Sequence, residues 1–349
     1  MLQPMLEIDG AHGEGGGQLD RTAVALAAVT GTAVRVRDVR ARRDRPGLAP
    51  QHLTAVSALA ALCGARCENL ALRSQAFEFH PGPLRAGEHA FDVGTAGSLT
   101  LVLQALLPAM IRAPGPCRVR LTGGTDVRAA PPIDYFRRVL VPLLARMGVA
   151  IDCRVARRGY YPRGGGEVEV ATTPATLRPI ALEAPGRVVR IDGLAHAGNL
   201  PAHIPDRMRA SALAQLGTVH APISVATRVL GGDDAVGQGG AIVLWAERAN
   251  TVLGAGRVAE RGVRSEALGE SAAGELAADL DAGAALDVHA ADQVLVYLAL
   301  AGGGSTFTAR EVSLHAETAM WLIGRFLPVR FEVARGGGLA RVRVIGASA

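Results

Sequence analysis

Apolar positions along the chain follow two rhythms. Apolar residues three and four apart, the spacing of one helical face, predict helices at 21–31 (RTAVALAAVTG), 51–64 (QHLTAVSALAALCG), 98–110 (SLTLVLQALLPAM), 135–148 (YFRRVLVPLLARMG), 291–302 (ADQVLVYLALAG) and 318–327 (TAMWLIGRFL). Strict alternation, the mark of a half-buried strand, runs through VRVRDV (34–39) and EVEV (167–170), and short strands are also expected at AIVLW (241–245) and ARVRV (340–344). Glycine clusters stand at 14–18, 163–166, 237–240, 301–304 and 335–338, and three of them lead straight into these strands as tight turns. Similar spacing along the chain predicts a repeated β/α unit with helices packed on sheets, an α+β fold.

The rhythm breaks at 173–187 (TPATLRPIALEAPGR), where prolines interrupt it. A strand (VVRIDGLA) and a polar helix (PDRMRASALAQLG) follow, and the earlier helical style resumes after GELAADLDAGAALDV. The economical organisation is a larger discontinuous unit, 1–184 with 281–349, and a smaller α/β unit inserted at 185–280.

Length agrees with two units, since 349 residues exceed the usual single domain. Hydrophobic content of 49% with 4% aromatic means that aliphatic residues fill the cores. The longest apolar run, 99–111, is too short to span a bilayer and contains Gln104 and Pro108. No basic-then-apolar leader is visible, and Cys63, Cys67, Cys117 and Cys153 form no paired zinc spacing, so a reduced, cytoplasmic setting is the default. A monomer and a homo-oligomer are both compatible with the sequence.

The formal charge is +5, and every basic residue is arginine. Lacking lysine, the chain has neither the amine of a P-loop nor that of a Schiff-base enzyme or lysyl-adenylate ligase. Covalent nucleotidyl chemistry, if present, needs another carrier.

Several stretches place polar groups where helices begin. In DGAHGEGGGQLDRTA (9–23), a glycine turn precedes a helix bearing Arg21. Helix-start amides suit phosphate, while Glu14 suits a divalent cation. RVRDVRARRDRPGLAPQHL (35–53) is the densest basic run; its guanidinium forks, with Gln51 and His52 at the next helix start, fit phosphate oxygens as well as a solvated charged edge. Gln104 in an apolar turn and the Pro-rich loop 121–136 each have a bland reading as surface polarity or connection. The same holds for His289, Asp292 and Gln293 ahead of an apolar helix, where an Asp is ordinarily a cap. With Thr318 as the expected cap of the last helix, His315 would sit just before its N-terminus, where the dipole keeps imidazole neutral and attracts phosphate.

Seven collinear segments, DGAHGEGGGQLDRTA, RPGLAPQHLTAV, GTAGSLTLVLQALLP, GGTDVRAAPPIDY, YYPRGGGEVEV, HAADQVLVYLALAGG and LHAETAM, resemble the RNA 3′-terminal phosphate cyclase family, most closely its bacterial members. The resemblance covers nearly the whole chain. It implies a larger domain of repeated β/α units similar to the C-terminal domain of translation initiation factor three and to enolpyruvyl transferases, carrying a smaller inserted α/β domain. It implies a ligase-type enzyme using ATP and a divalent metal, Mg or Mn, on RNA with a 3′-phosphate. His315 would take AMP from ATP, AMP would pass to the RNA phosphate as RNA(3′)pp(5′)A, and the 2′-hydroxyl would close a 2′,3′-cyclic phosphate with release of AMP.

Position by position, the resemblance puts Glu14 near the metal and ATP phosphates. Gln104, Pro131, Asp292 and Gln293 fall at nucleotide contacts, Pro131 as one wall of the adenine slot. Arg21, Arg40, Arg43, Gln51 and His52 fall at the phosphate and RNA-end site. His289 stands where the family often has a tyrosine stacking on adenine, and Ala319 where asparagine is common. A non-catalytic cyclase-like factor in RNA binding or ribosome assembly is the alternative; such relatives lose the nucleophile and nucleotide contacts, which stand here. An enolpyruvyl-type transferase needs lysines this chain lacks.

Overall fold

The apolar alternations and helical stripes build one pattern three times. In a computed structural model describing residues 5–346, β1 (Leu6–Asp9), α1 (Gly17–Thr30), β2 (Val34–Arg37), α2 (Pro50–Cys63), β3 (Arg66–Glu68) and β4 (Phe77–His80) form the first unit. (Residues 1–4 and 347–349, the outer ends of the expected larger unit, lie outside the described residues.) β1 runs parallel to β2, and β4 joins antiparallel between β2 and β3.

The second unit repeats this order with β5 (Gly87–Asp92), α3 (Leu99–Met110), β6 (Cys117–Gly123), α4 (Ile133–Tyr135), α5 (Val141–Arg146), β7 (Ile151–Gly159) and β8 (Gly166–Thr172). A π-helical turn, Phe136–Leu140, joins α4 to α5 within the stretch expected as one helix.

The third unit opens with β9 (Ala181–Leu182) and then departs. β10 (Val188–Gly198), α6 (His203–Gln215), β11 (Ile223–Leu230), β12 (Ala235–Val236), β13 (Gly239–Arg248), β14 (Val252–Val258) and α7 (Ser265–Asp281) intervene. After them come α8 (Val288–Gln293), α9 (Leu295–Leu300), β15 (Ser305–Ala309), α10 (Leu314–Phe326), β16 (Val329–Gly336) and β17 (Leu339–Gly346). β9 pairs parallel with β15, and β17 lies antiparallel between β15 and β16, so the order is the same again.

The intervening strands make a separate sheet, β11-β10-β13-β14. Ile191, Met208, Leu244 and Leu276 are fully buried in its own core beneath α6 and α7. The principal core, with Ile8, Leu26, Leu59, Leu103, Leu121 and Phe307, is contributed by all three repeated units. β12 is the exception to this separation: it leaves the fourth sheet and pairs with the edge of β7 through Arg158 and Gly159.

A sealed polar cluster lies at the same junction. Arg158 Nη1 donates to Asp126 Oδ2 (3.1 Å) and Nη2 to Asp134 Oδ2 (2.6 Å). His196 of β10 is 1% exposed, with Nδ1 3.0 Å from the Tyr160 hydroxyl and Nε2 3.2 Å from Arg158 Nη1. Burial works to raise the Asp126 carboxyl, but Arg158 and His196 hold it well below its ordinary range. The same two carboxylates, against burial, hold the Arg158 guanidinium firmly charged.

Local signals explain the helix boundaries that frame the site. α1 and α2 stop at Gly31 (φ 71°) and Gly64 (φ 60°), left-handed positions that glycine adopts without strain. Ser98 caps α3, accepting from Leu101 N at 3.3 Å, and Asp287 caps α8, accepting from His289 N and Ala290 N. The cap is therefore Asp287 and not Asp292, the Asp expected there, which lies inside α8. The run expected at 291–302 divides at Val294 into α8 and α9. The last helix also begins earlier than expected: Ser313, not Thr318, caps α10 by accepting from Ala316 N at 3.1 Å. Among the described residues no helix is long and apolar enough to cross a membrane.

Candidate active site

In all three units, loops after parallel strands lead into helix starts, and these loops converge on one cavity of about 770 Å³. Its wall includes the starts of α1, α2 and α10, parts of α3 and α8, the loop before α4, and Gly256–Val258 of β14. All twelve residues singled out from the sequence line it: Glu14, Arg21, Arg40, Arg43, Gln51, His52, Gln104, Pro131, His289, Asp292, Gln293 and His315. Parallel strands collect ligands at their carboxyl ends because helix starts point unpaired N–H groups there.

His315 is the second residue of α10, not a residue preceding it. Its ring is 48% exposed, and Nε2 lies 2.7 Å from Glu14 Oε2. Arg43 Nη2 donates to the other oxygen, Glu14 Oε1. The Glu14 hydrogen bond raises the His315 pKa above its ordinary 6.5, against the opposing effect of burial. Reciprocally, the His315 hydrogen bond holds Glu14 below its ordinary value, also against burial. The expectation of a neutral ring is thus corrected: a full carboxylate at hydrogen-bond distance outweighs the partial charge of a helix start. Thr318, expected as the cap, donates to Leu314 O (2.7 Å) and accepts from Glu14 N (3.3 Å), tying α10 to the glycine turn.

The glycines of that turn have a steric role. A Cβ on Gly17 would stand 2.1 Å from His52 Nε2, and one on Gly16 2.6 Å from Arg43 Nη2. Only bare backbone lets both side chains lie across the start of α1. Beyond them the wall is polar and unusually under-satisfied. On it Gln18 Oε1, Arg21 Nε and His52 Nδ1 are buried without a hydrogen-bond partner among the described residues; behind it, off the cavity surface, so are both Asp20 oxygens. Burial, then the Arg21, Arg40 and Arg43 charges, press the His52 pKa down to about 2. Burial lowers Arg21 to about 10 and raises Asp20 to about 7. A neutral imidazole among guanidiniums with spare donors suits an anionic group carrying several oxygens.

Three expectations for this wall need adjustment. Arg35 and Arg37 of the basic run face outward, and Arg37 pairs with Glu7, Asp9 and Asp38; they are a charged edge, whereas Arg40 and Arg43 turn inward. Arg40 Nη1 already donates to Gly47 O at 2.7 Å, and the Gln51 side-chain oxygen Oε1 accepts from Ser98 N at 2.9 Å, so Gln51 braces the α3 loop as well as lining the cavity. Asp20 was not foreseen: its pattern position is that of an ordinary helical polar residue, and only burial distinguishes it.

The opposite end carries Gln104, Pro131 and the α8 residues. Thr100 Oγ1 donates to the Pro131 carbonyl at 2.8 Å, fixing the proline beside Gln104 and Leu101 on the cavity wall. His289 meets the Tyr135 ring edge-on at 6.4 Å, while its Nε2 lies 2.9 Å from Glu275 Oε1. That hydrogen bond raises His289 to about 9, so the ring expected as a plain stacking surface is a cation at neutral pH. Gln293 Nε2 donates back to His289 O (3.1 Å), and burial raises Asp292 to about 7. Tyr135 was not singled out; its hydroxyl donates to the α8 cap Asp287 at 2.6 Å, linking α4 to α8.

The donor set fits a hard divalent cation bound as Mg usually is, by one or two carboxylates completed by substrate phosphates. Glu14 supplies the carboxylate where the cavity is richest in anion donors, and Asp292 and Glu260 are the other acids of the lining. Among the described residues, the sole three-member group with ligand spacing is Glu68, Glu78 and His80, away from the cavity.

Comparison with known proteins shows the family. A family model described as RNA 3′-terminal phosphate cyclase matches residues 12–333. A relative so named from Nitrosospira multiformis is 56% identical over 340 residues, 97% of this chain and 96% of its own length. Others of that name, from Pyrobaculum neutrophilum (44% over 346 residues, 98% of each chain) and Methylococcus capsulatus (43% over 350, 97% and 96%), are similar throughout. The chain belongs to the RNA 3′-terminal phosphate cyclase family.

Proposed function

We propose that the protein uses ATP to convert an RNA 3′-terminal phosphate to a 2′,3′-cyclic phosphate through an adenylate carried on His315. The observation that carries this reading is a half-exposed imidazole in contact with Glu14 on a cavity wall, with Arg43 on the same carboxylate and Arg40 and Arg21, the latter with its Nε–H unpartnered among the described residues, on the same wall. In a chain without lysine, histidine is the nitrogen nucleophile at this position.

In the first step a ring nitrogen of His315 attacks the α-phosphorus of ATP. A nitrogen–phosphorus bond forms, the bond to the β-phosphate oxygen breaks, and pyrophosphate leaves. The ring must be neutral to attack, so the proton that Glu14 stabilises has to depart first. In the second step an oxygen of the RNA 3′-phosphate attacks the same phosphorus and displaces the imidazole. In the third, the 2′-hydroxyl loses its proton, attacks the 3′-phosphorus and expels AMP. Adenylylation supplies the leaving group that a phosphate monoester lacks, and Arg21, Arg40 and Arg43 spread charge developing on phosphoryl oxygens. Gln104, Pro131, His289, Asp292 and Gln293 would hold the nucleoside, with Gln51 and His52 at the RNA end. A bound divalent cation, Mg or Mn, would be held by Glu14 and would neutralise phosphate charge.

The fourth sheet with α6 and α7 supports reading 185–280 as an inserted domain in the larger unit, 1–184 and 281–349. Incubation with ATP labelled at the α-phosphate tests the mechanism. Label should remain on the protein and map by mass to the peptide bearing His315, and His315→Ala should lose it. Label persisting in that variant refutes the residue assignment, and an unlabelled parent refutes the covalent route.

A further inference from the structure

The β7–β8 hairpin carries a motif that the cavity does not absorb. Tyr160, at the start of its tip, is buried, with its ring close behind Gly198 and Gly239. Tyr161 points the other way and is 76% exposed, the most exposed large hydrophobic side chain among the described residues. Pro162 and Arg163 beside it are also exposed. Neighbouring Arg157 and Arg158 pair with Glu167 and with Asp126 and Asp134, whereas Arg163 has no carboxylate partner among the described residues.

This tip is firmly seated. Tyr160 and Gly164 bridge antiparallel, and Gly164 N donates to Tyr160 O at 2.8 Å. It is also continuous with the cavity. A Cβ on Gly164 would stand 2.4 Å from Thr95 O, in the loop that precedes α3. On its other side the same loop meets the cavity wall: Ser98 N donates to Gln51, and a Cβ on Gly97 would stand 3.1 Å from Gln51 Cβ. The loop here is Gly94, Thr95, Ala96 and Gly97, all small: Gly94 and Thr95 are exposed, Gly97 is half-buried and Ala96 is buried beneath them. A saddle one loop wide therefore joins the cavity wall to an exposed aromatic ring and to a guanidinium without a carboxylate partner among the described residues.

We propose that Tyr161 and Arg163 form a docking platform for the RNA strand upstream of its 3′-terminal phosphate. A base stacks on Tyr161, a backbone phosphate meets Arg163, and the strand crosses the Gly94–Gly97 saddle to reach the cavity. Single-stranded RNA is held in this way wherever sequence is not read, because every base has a π-face and every linkage a charge. The assignment rests on the RNA substrate proposed above, and its test does not use catalysis.

Fluorescence anisotropy compares two 5′-labelled RNAs ending in a 3′-phosphate, one of about 12 nucleotides and one trinucleotide too short to span the saddle. Tyr161→Ala should weaken binding of the longer RNA roughly tenfold and leave the trinucleotide unaffected, with Tyr161→Phe retaining parental affinity. Arg163→Ala should reduce the salt dependence of the longer RNA by about one single-strand phosphate contact, a slope change of about 0.7. Variants that bind both RNAs as the parent does would overturn the platform and leave the tip to a protein partner; so would a parent that favours neither length. Label transfer from ATP to the parent is measured separately. A length-dependent loss in a protein that never adenylylates upholds the platform while removing the catalytic reading.

Discussion

His315, Glu14 and Arg43 on one side, and His196, Asp126 and Arg158 on the other, bring the same three chemical types together with opposite consequences. Around His196 every partner is enclosed: the ring is 1% exposed, Arg158 reaches two carboxylates, and Thr125 and Tyr160 complete the network. Around His315 the ring is 48% exposed and the neighbouring wall holds buried donors and acceptors without partners. The first arrangement is satisfied within the chain and has nothing left to offer a ligand. The second is incomplete, and a phosphate oxygen would complete its unpartnered Arg21 Nε–H donor. Access and unmet hydrogen bonding, not the residue set, separate a structural cluster from a reactive one.

Variants at matched positions sharpen that contrast. The largest effect is expected for His315→Ala: covalent AMP incorporation falls by at least about a thousandfold, because the nucleophile itself is gone, while the thermal midpoint drops only by the small worth of one half-exposed ion pair with Glu14. Next is Arg158→Ala, which leaves Asp126 and Asp134 buried without their cation. Denaturant unfolding should show a loss of about 3–5 kcal/mol, and an unchanged midpoint would mean that the cluster is not sealed in solution. Arg40→Ala should slow AMP transfer to RNA about tenfold, the size of one charge-assisted hydrogen bond, and slow self-adenylylation less; equal losses would place Arg40 on ATP instead.

Acidity gives a subtler comparison. Pairing with Glu14 raises the His315 pKa, so the stability it contributes is complete below the ordinary 6.5 and fades as pH climbs through the raised value. Activity needs the neutral ring and moves in the opposite direction, so AMP incorporation should rise across that range. Glu14→Gln should bring the midpoint of that rise down toward 6.5, and an unmoved midpoint would show that Glu14 does not govern the ring. The smallest change is expected for Tyr160→Phe, about 1 kcal/mol in unfolding for one lost hydrogen bond, with adenylylation intact.

Much of this was legible along the chain. Helical spacing located α1, α2 and α3 to within a few residues, and the glycine runs did precede β8, β13 and β17. Local signals faltered where two readings competed. Both Ser313 and Thr318 have cap-forming hydroxyls, but Thr318 is used to tie α10 to the glycine turn instead. A π turn and a break at Val294 divide two runs whose apolar periodicity continues across them. The twelve candidate residues line one cavity because motif resemblance supplied what spacing could not. The Arg158 network remained invisible, since positions 126, 134, 158, 160 and 196 meet only after the sheets assemble. Asp20 and the Glu275 contact of His289 escaped for the same reason: burial and distant partners leave no local signature.

The two-residue β12 has a consequence for anyone hoping to trim this enzyme. It lends its backbone to the rim of the middle sheet, so cutting out the cassette between β9 and α8 would leave β7 bare at Arg158 and Gly159. An uncovered rim recruits strands from neighbouring molecules. The shortened protein would therefore tend to clump, and the cassette is better pictured as stitched into its host than as clipped onto it.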